Sequence, residues 1–232
     1  MEAERPSNGL ALIFDISGFT NFFNKPDLQY YITRYINKIV ECVDNVIYGG
    51  ECFWLDEDEE PFEPLKMLPS MRKFMGDGML YIWEDSEEKL LKDPSLKMDI
   101  INDLYNVQLR FDRINERMYD IIPIADLPEK IKFGIAQGTI YKLVDTSGQI
   151  DYIGPCINLA SRLVKYCKEV NFICSARLDI PSEQIQKNNY MKVIATSLRS
   201  FENEIVIIDK SDYKRIPEDE RKRIFKEIKV KS

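Results

Sequence analysis

Residues 71–83 constrain the fold of this chain more than any other stretch. Met71-Arg-Lys-Phe-Met75 and Met79-Leu-Tyr-Ile-Trp83 are strand-forming runs separated by Gly76-Asp77-Gly78. Glycines on both sides of an aspartate favour a tight turn, so the two runs fold back on each other as an antiparallel hairpin. Upstream, Leu10-Ala-Leu-Ile-Phe14 is a continuous apolar run that ends at Asp15 and the Ser17-Gly18 turn. An unbroken apolar run of this length predicts a buried strand.

Helical patterns lie between the strands. Leu28, Tyr31, Ile32, Tyr35, Ile36, Ile39, Val40, Val43 and Ile47 recur at helical spacing and predict a helix over 24–48, stopped by Gly49-Gly50. Glu51 to Arg72 reads as an irregular excursion with one short strand at 52–55. Its acidic run, Asp56-Glu-Asp-Glu-Glu60, reads as solvated surface. A helical zone over 85–117 is interrupted near Pro94, with Leu104, Val107, Phe111 and Ile114 as its apolar stripe. Strands are expected at 132–141, 150–152, 172–174 and 201–209, with a helix over 156–169. Residues 217–230 read as a charged, exposed helix or tail. No repeat or linker divides the chain. The expectation is one domain over 1–232, with a core over 8–210, a charged end over 211–232 and an α+β fold (an α/β sandwich) on a mixed sheet.

Composition excludes whole classes of chemistry. The chain has no histidine. A histidine general base, a Ser-His-Asp nucleophile and a His-ligated zinc or haem are therefore ruled out. Lys+Arg total 32 against 39 Asp+Glu, a net charge of −7, which argues against a phosphate-gripping nucleic-acid binder. The N-terminus does not read as a signal peptide, and no apolar stretch is long enough to span a membrane. Cysteines at 42, 52, 156, 167 and 174 have no C-x-x-C spacing and read as buried reduced thiols, in keeping with a cytoplasmic protein.

Two carboxylates stand out by position. Asp15 ends a buried strand, and Asp77 sits at the tip of a hairpin. Carboxylates at the ends of adjacent strands can hold a pair of Mg²⁺ or Mn²⁺ ions, with phosphate oxygens completing the shell. The turn at Gly18-Phe19-Thr20 can turn backbone N–H groups toward a phosphate. Asn158 and Arg162, four apart, share one helix face, where Arg162 would neutralise phosphate charge and Asn158 orient a sugar oxygen. Lys73 and Asp151 lie in strand-like runs and together offer a donor and an acceptor to a base edge.

These segments carry a resemblance. Phe14-Asp-Ile-Ser-Gly-Phe-Thr20, Lys73-Phe-Met-Gly-Asp77, Lys132-Phe-Gly-Ile-Ala-Gln-Gly138 and Asp151-Tyr-Ile-Gly-Pro-Cys-Ile-Asn-Leu-Ala-Ser-Arg162 stand in the order and spacing of the class III nucleotidyl cyclases. The match runs from residue 10 to about 210. The resemblance implies a ferredoxin-like core, a head-to-tail homodimer and composite active sites between subunits. It implies that Asp15 and Asp77 bind two divalent ions, with the Ile16 carbonyl as a further ligand, and that Gly18, Phe19 and Thr20 line the triphosphate. Asn158 and Arg162 would stabilise the transition state from the partner subunit, and Lys73 and Asp151 would read the base. Arg199 falls near a phosphate-contacting position.

The excursion before the hairpin and the run Gly78-Met-Leu-Tyr-Ile-Trp83 resemble the pyrimidine cyclases of bacterial Pycsar antiphage systems. Those enzymes make cyclic UMP or cyclic CMP for a separate effector. A bulky Tyr48 or Phe53 would narrow the pocket for a pyrimidine. Lys73 with Asp151 also suits an adenylyl cyclase. A degenerate domain that only binds nucleotide or dimerises is the non-enzymatic alternative.

Overall fold

A computed structural model describes residues 2–3, 5–166 and 168–228. Strand β1 (Glu2–Ala3) precedes β2 (Ser7–Ser17), helix α1 (Phe19–Phe23), a 3₁₀ turn at Leu28–Tyr30 and helix α2 (Ile32–Tyr48). The hairpin strands β3 (Met71–Phe74) and β4 (Gly78–Glu84) lead to helices α3 (Lys89–Lys92), α4 (Pro94–Leu109) and α5 (Phe111–Tyr119). Strand β5 (Lys130–Val144) passes through β6 (Ile150–Ile153) into helix α6 (Pro155–Leu163). Strand β7 (Phe172–Ser175), helix α7 (Ser182–Lys187), strands β8 (Tyr190–Ala195) and β9 (Glu204–Asp209), helices α8 (Lys210–Arg215) and α9 (Glu218–Ile224), and strand β10 (Phe225–Glu227) follow.

The sheet runs in the order β10-β8-β9-β7-β5-β2-β4-β3. Its pairings are antiparallel apart from β5 with β7, so the α+β fold with a mixed, mainly antiparallel sheet is as expected. The long β5 does two jobs. Its first part pairs with β2 and β7, and its last residues run on as an arm that pairs with β6 and β1.

Strand alternation sends neighbouring side chains of β2 to opposite faces. Leu10, Leu12 and Phe14 join Tyr81, Trp83 and Phe133 in a core under α2, α4 and α5. Ala11 and Ile13 join Leu80, Ile82 and Ala136 in a second core under α6 and the C-terminal elements. The run from Leu10 to Phe14 is apolar throughout because both of its faces are buried. Helix α6 presses directly on β5: a Cβ at Gly134 would sit 2.4 Å from the Ala160 carbonyl oxygen.

Several elements differ from expectation. The helix expected over 24–48 begins only at Ile32, because Pro26 and Asp27 (φ 63°) break the chain into a turn. Residues 52–55 form a turn closed by Leu55 N–H on the Cys52 carbonyl, not a strand. The acidic run is not simply solvated. Arg110 and Arg113 reach Glu59 at 2.5 and 2.9 Å, and Arg113 and Arg117 hold Asp56. The spacing of those arginines puts them on one side of the helix layer, with partners some fifty residues away that local pattern cannot show.

The helix expected over 156–169 ends at Leu163, and Cys167 lies outside the described residues. The Tyr166 hydroxyl donates to the Ile224 carbonyl at 2.5 Å and accepts from Thr196 N–H, which pulls the chain out of the helix. The charged end is not a tail. After α9 it forms β10, which pairs with β8 and buries Ile224 and Phe225; residues 229–232 lie outside the described residues. Cys42, Cys52, Cys156 and Cys174 are buried free thiols. Burial pushes Cys52 up to about 11 and Cys156 up to about 12. Among the described residues, no helix is long and apolar enough to cross a membrane.

Candidate active site

Asp15 and Asp77 meet because of how the hairpin docks on β2. Asp15 pairs with Gly78 across the ladder, and the Ile16 N–H donates to the Asp77 carbonyl at 2.9 Å. Only glycine fits at position 78, since a Cβ there would lie 1.8 Å from the Phe14 carbonyl oxygen. That close approach carries Asp77 over the end of β2. Burial and then the neighbouring Asp77 hold the Asp15 carboxyl above its ordinary range, while Lys165 pulls it back down. Two crowded carboxylates in a half-buried site suit a divalent cation, which would lower the cost of keeping both ionised. Among the described residues no group of three or more metal-ligating side chains forms, so the donor set is this pair with backbone oxygen. Water or phosphate oxygens would complete such a shell.

A tight turn follows β2. Gly18 takes φ 81° in open space, and α1 starts immediately after it. Phe19 buries its ring in the core, so it offers only its backbone, while Thr20 is exposed. The N–H groups of this first turn have no helical acceptor.

Lys73 and Asp151 are brought together. Lys73 Nζ donates to Asp151 Oδ2 at 2.5 Å, joining β3 to β6. Burial works to raise the Asp151 carboxyl, but the bonds from Lys73 and from the Tyr152 N–H outweigh it and leave it below the usual carboxylate range. Asn158 and Arg162 lie exposed on α6. Lys165, just beyond that helix, reaches to 3.6 Å from Asp15 Oδ1. Asn158 lies further back on α6, which packs Cys156 against Gly138 and Ala160 against Gly134 of β5, whereas Asp15 pairs with Lys132 toward the start of that strand.

Two of the expected site residues, Tyr48 and Phe53, lie in the helix layer, and Arg199 lies far from its own chain's Asp15. Tyr48 sits with Asp44 and Arg72 on the α2 side, the opposite face of β3 from Lys73. Phe53 stacks under Lys38 of α2, its ring centroid 5.1 Å from the ammonium. Arg199 is exposed in the β8–β9 connection, beyond the Ala195–Glu204 end of the ladder, whereas Asp15 lies toward the other end. Two lysines go beyond the expected set. Lys132 is directly opposite Asp15 on β5 and nearly buried, and Lys165 touches Asp15 itself. The first could have been found from strand register, the second only from the place where α6 ends.

No family profile matches the chain, and no curated protein does. Solved structures do match. The adenylyl cyclase CyaB from P. aeruginosa superposes with a TM-score of 0.56 at 16% identity, over 90% of this chain and 95% of that one. The guanylyl cyclase Cya2 gives 0.55 at 15% identity, over 90% and 93%. A bacterial light-regulated adenylyl cyclase gives 0.55 at 15% identity, over 96% of this chain and 57% of its own length. The fold is shared with these cyclase domains. Within this cyclase fold, Asp15, Asp77, Lys73, Asp151 and the α6 residues belong to the face of the sheet that α6 covers, and the helix layer of α2, α4 and α5 closes the other.

Proposed function

We propose that this chain is a nucleotidyl cyclase that converts a nucleoside triphosphate into a 3′,5′-cyclic nucleotide and pyrophosphate. The observation that carries this reading is the meeting of Asp15 and Asp77 beneath the Gly18 turn, in a fold shared with cyclase domains. In the reaction the ribose 3′-oxygen attacks the α-phosphorus and pyrophosphate leaves. Two divalent ions, Mg²⁺ or Mn²⁺, held by Asp15, Asp77 and the Ile16 carbonyl would supply the charge that acidifies the hydroxyl and neutralises the polyphosphate. Backbone N–H groups of Gly18, Phe19 and Thr20 bind phosphate oxygens, and Lys132 adds positive charge beside Asp15. Arg162 offsets charge that develops on the α-phosphate, and Asn158 orients the ribose. Both act from the partner subunit of a head-to-tail homodimer, in keeping with their exposure on α6.

For the base, Lys73 donates and Asp151 accepts side by side. We infer a pyrimidine nucleotide, UTP or CTP, as substrate, and a cyclic UMP or cyclic CMP signal read by a separate effector in cytoplasmic antiphage defence. This finer reading rests on the sequence resemblance. The narrowing of the pocket by Tyr48 and Phe53 gives it no support, since both side chains lie in the helix layer. An adenylyl cyclase is the second reading, favoured by the same pair, because an adenine edge also offers a donor beside an acceptor.

The test is to incubate the protein with Mn²⁺ and each of the four ribonucleoside triphosphates separately and to identify the products. Cyclic UMP or cyclic CMP as the main product is expected. Dominant cyclic AMP overturns the pyrimidine assignment, and no cyclic product from any nucleotide overturns the cyclase assignment.

A further inference from the structure

Lys165 belongs to none of the motif positions that point to nucleotide chemistry, yet its ammonium is 3.6 Å from Asp15 Oδ1 of its own chain. The backbone that carries it is firmly placed. Val164 N–H closes the end of α6 on the Ala160 carbonyl, and Tyr166 is tied through its hydroxyl to Ile224 and Thr196. The same bonds that end the helix early turn Lys165 toward the aspartate pair.

We propose that Lys165 is a built-in counter-ion of the Asp15–Asp77 pair and competes with the divalent cation for it. This inference rests on the reading of those two aspartates as the metal site. A small divalent ion binds a carboxylate oxygen at about 2.1 Å. An ammonium 3.6 Å from that same oxygen can then be no more than about 5.7 Å from the ion, and less in any bent arrangement. The two cations repel across a half-buried site, so Lys165 has to swing away when the ion enters. Its side chain is 66% exposed and free to do so. A bound polyphosphate offers the displaced ammonium a new anionic partner. Without nucleotide, Lys165 therefore weakens metal binding, and with nucleotide the penalty is offset, which couples metal loading to substrate.

The experiment is a titration of Mn²⁺ into the nucleotide-free protein, followed by calorimetry and by the electron paramagnetic resonance signal of free Mn²⁺. An exposed ion pair is worth little, so Lys165→Ala should bind Mn²⁺ about two- to fivefold more tightly than wild type. Lys165→Arg should bind like wild type, and Asp15→Ala should lose binding. If Lys165→Ala and wild type bind equally while Asp15→Ala does not bind, the competition is wrong and the metal site stands. If Asp15→Ala binds Mn²⁺ as well as wild type, the metal site itself is wrong and the proposal falls with it.

Discussion

Arg72 and Lys73 are adjacent basic residues of one strand, and each holds an aspartate. They show how different the two faces of this sheet are. Arg72 turns toward α2, where it pairs with Asp44; Asp44 also accepts from the hydroxyl of Tyr81 at 2.9 Å, and the Tyr81 ring is fully buried. Lys73 turns the other way and pairs with Asp151 of the β6 arm, with both side chains nearly half exposed. In the first pair Arg72 itself reaches solvent, but its partner Asp44 is only 17% exposed and is tied to the buried Tyr81. The second lies open at the edge of a cleft, beside the aspartates of β2 and the hairpin. Two ion pairs with the same chemistry thus differ in purpose because strand alternation delivers them to different surroundings. Substitutions on the α2 face should lower stability and spare activity. On the α6 face the reverse should hold.

The largest effect is expected on the α6 face. Arg162→Ala should lower the cyclase rate by about 10²–10³-fold, the usual cost of losing one preorganised charge partner in a transition state. Asp77→Ala should be at least as damaging. Urea midpoints should not fall much, because Arg162 is exposed and removing Asp77 relieves its crowding of Asp15. Mixed in equal amounts, the two inactive variants should recover about a quarter of wild-type activity, since half the dimers are heterodimers with one intact site of two. No recovery from heterodimers shown to form would count against sites shared between subunits.

The α2 face should behave differently. Asp44→Ala removes the acceptor of a buried hydroxyl, which costs about 1–3 kcal/mol of stability. Asp44→Asn keeps a carbonyl oxygen for Tyr81 and should be milder. Chemical denaturation measures both. A loss of activity without a loss of stability in Asp44→Ala would show that this face does more than hold the sheet.

Much of this contrast could be read in the sequence. The doubly buried β2, the Gly-Asp-Gly hairpin and the run of β5 each carry their own local signal, and so do the aspartates that they position. What stayed hidden depends on partners distant in the chain. Strand β8 has Lys192 in its middle, and β10 lies within a charged run; each exists because it pairs with a neighbour in the sheet. The clamp of Arg110, Arg113 and Arg117 on Asp56 and Glu59 spans some fifty residues. Bulk alone suggests Tyr48 and Phe53 as neighbours of the base, but Tyr48 lies with Asp44 and Arg72 and Phe53 lies under Lys38, both in the helix layer away from Lys73. Lys132 and Lys165 gain meaning from register and from a helix end, neither of which residue type reveals.

The smallest structural effect, and the finest test of the contrast, is at Lys73. Its ion pair with Asp151 is exposed enough for solvent to screen it, so Lys73→Ala should change stability by no more than about 0.5 kcal/mol. Its catalytic effect is a matter of recognition. Loss of one charged donor to the base should lower kcat/KM for the preferred nucleotide by about tenfold, mostly through KM, because the base does not react. Selectivity among the four nucleotides should fall in parallel, since Asp151 alone cannot present a donor beside its acceptor. Arg72→Ala, one residue away, should leave that selectivity unchanged. If both variants alter base preference equally, the two faces do not divide recognition from support in the way that the ion pairs indicate.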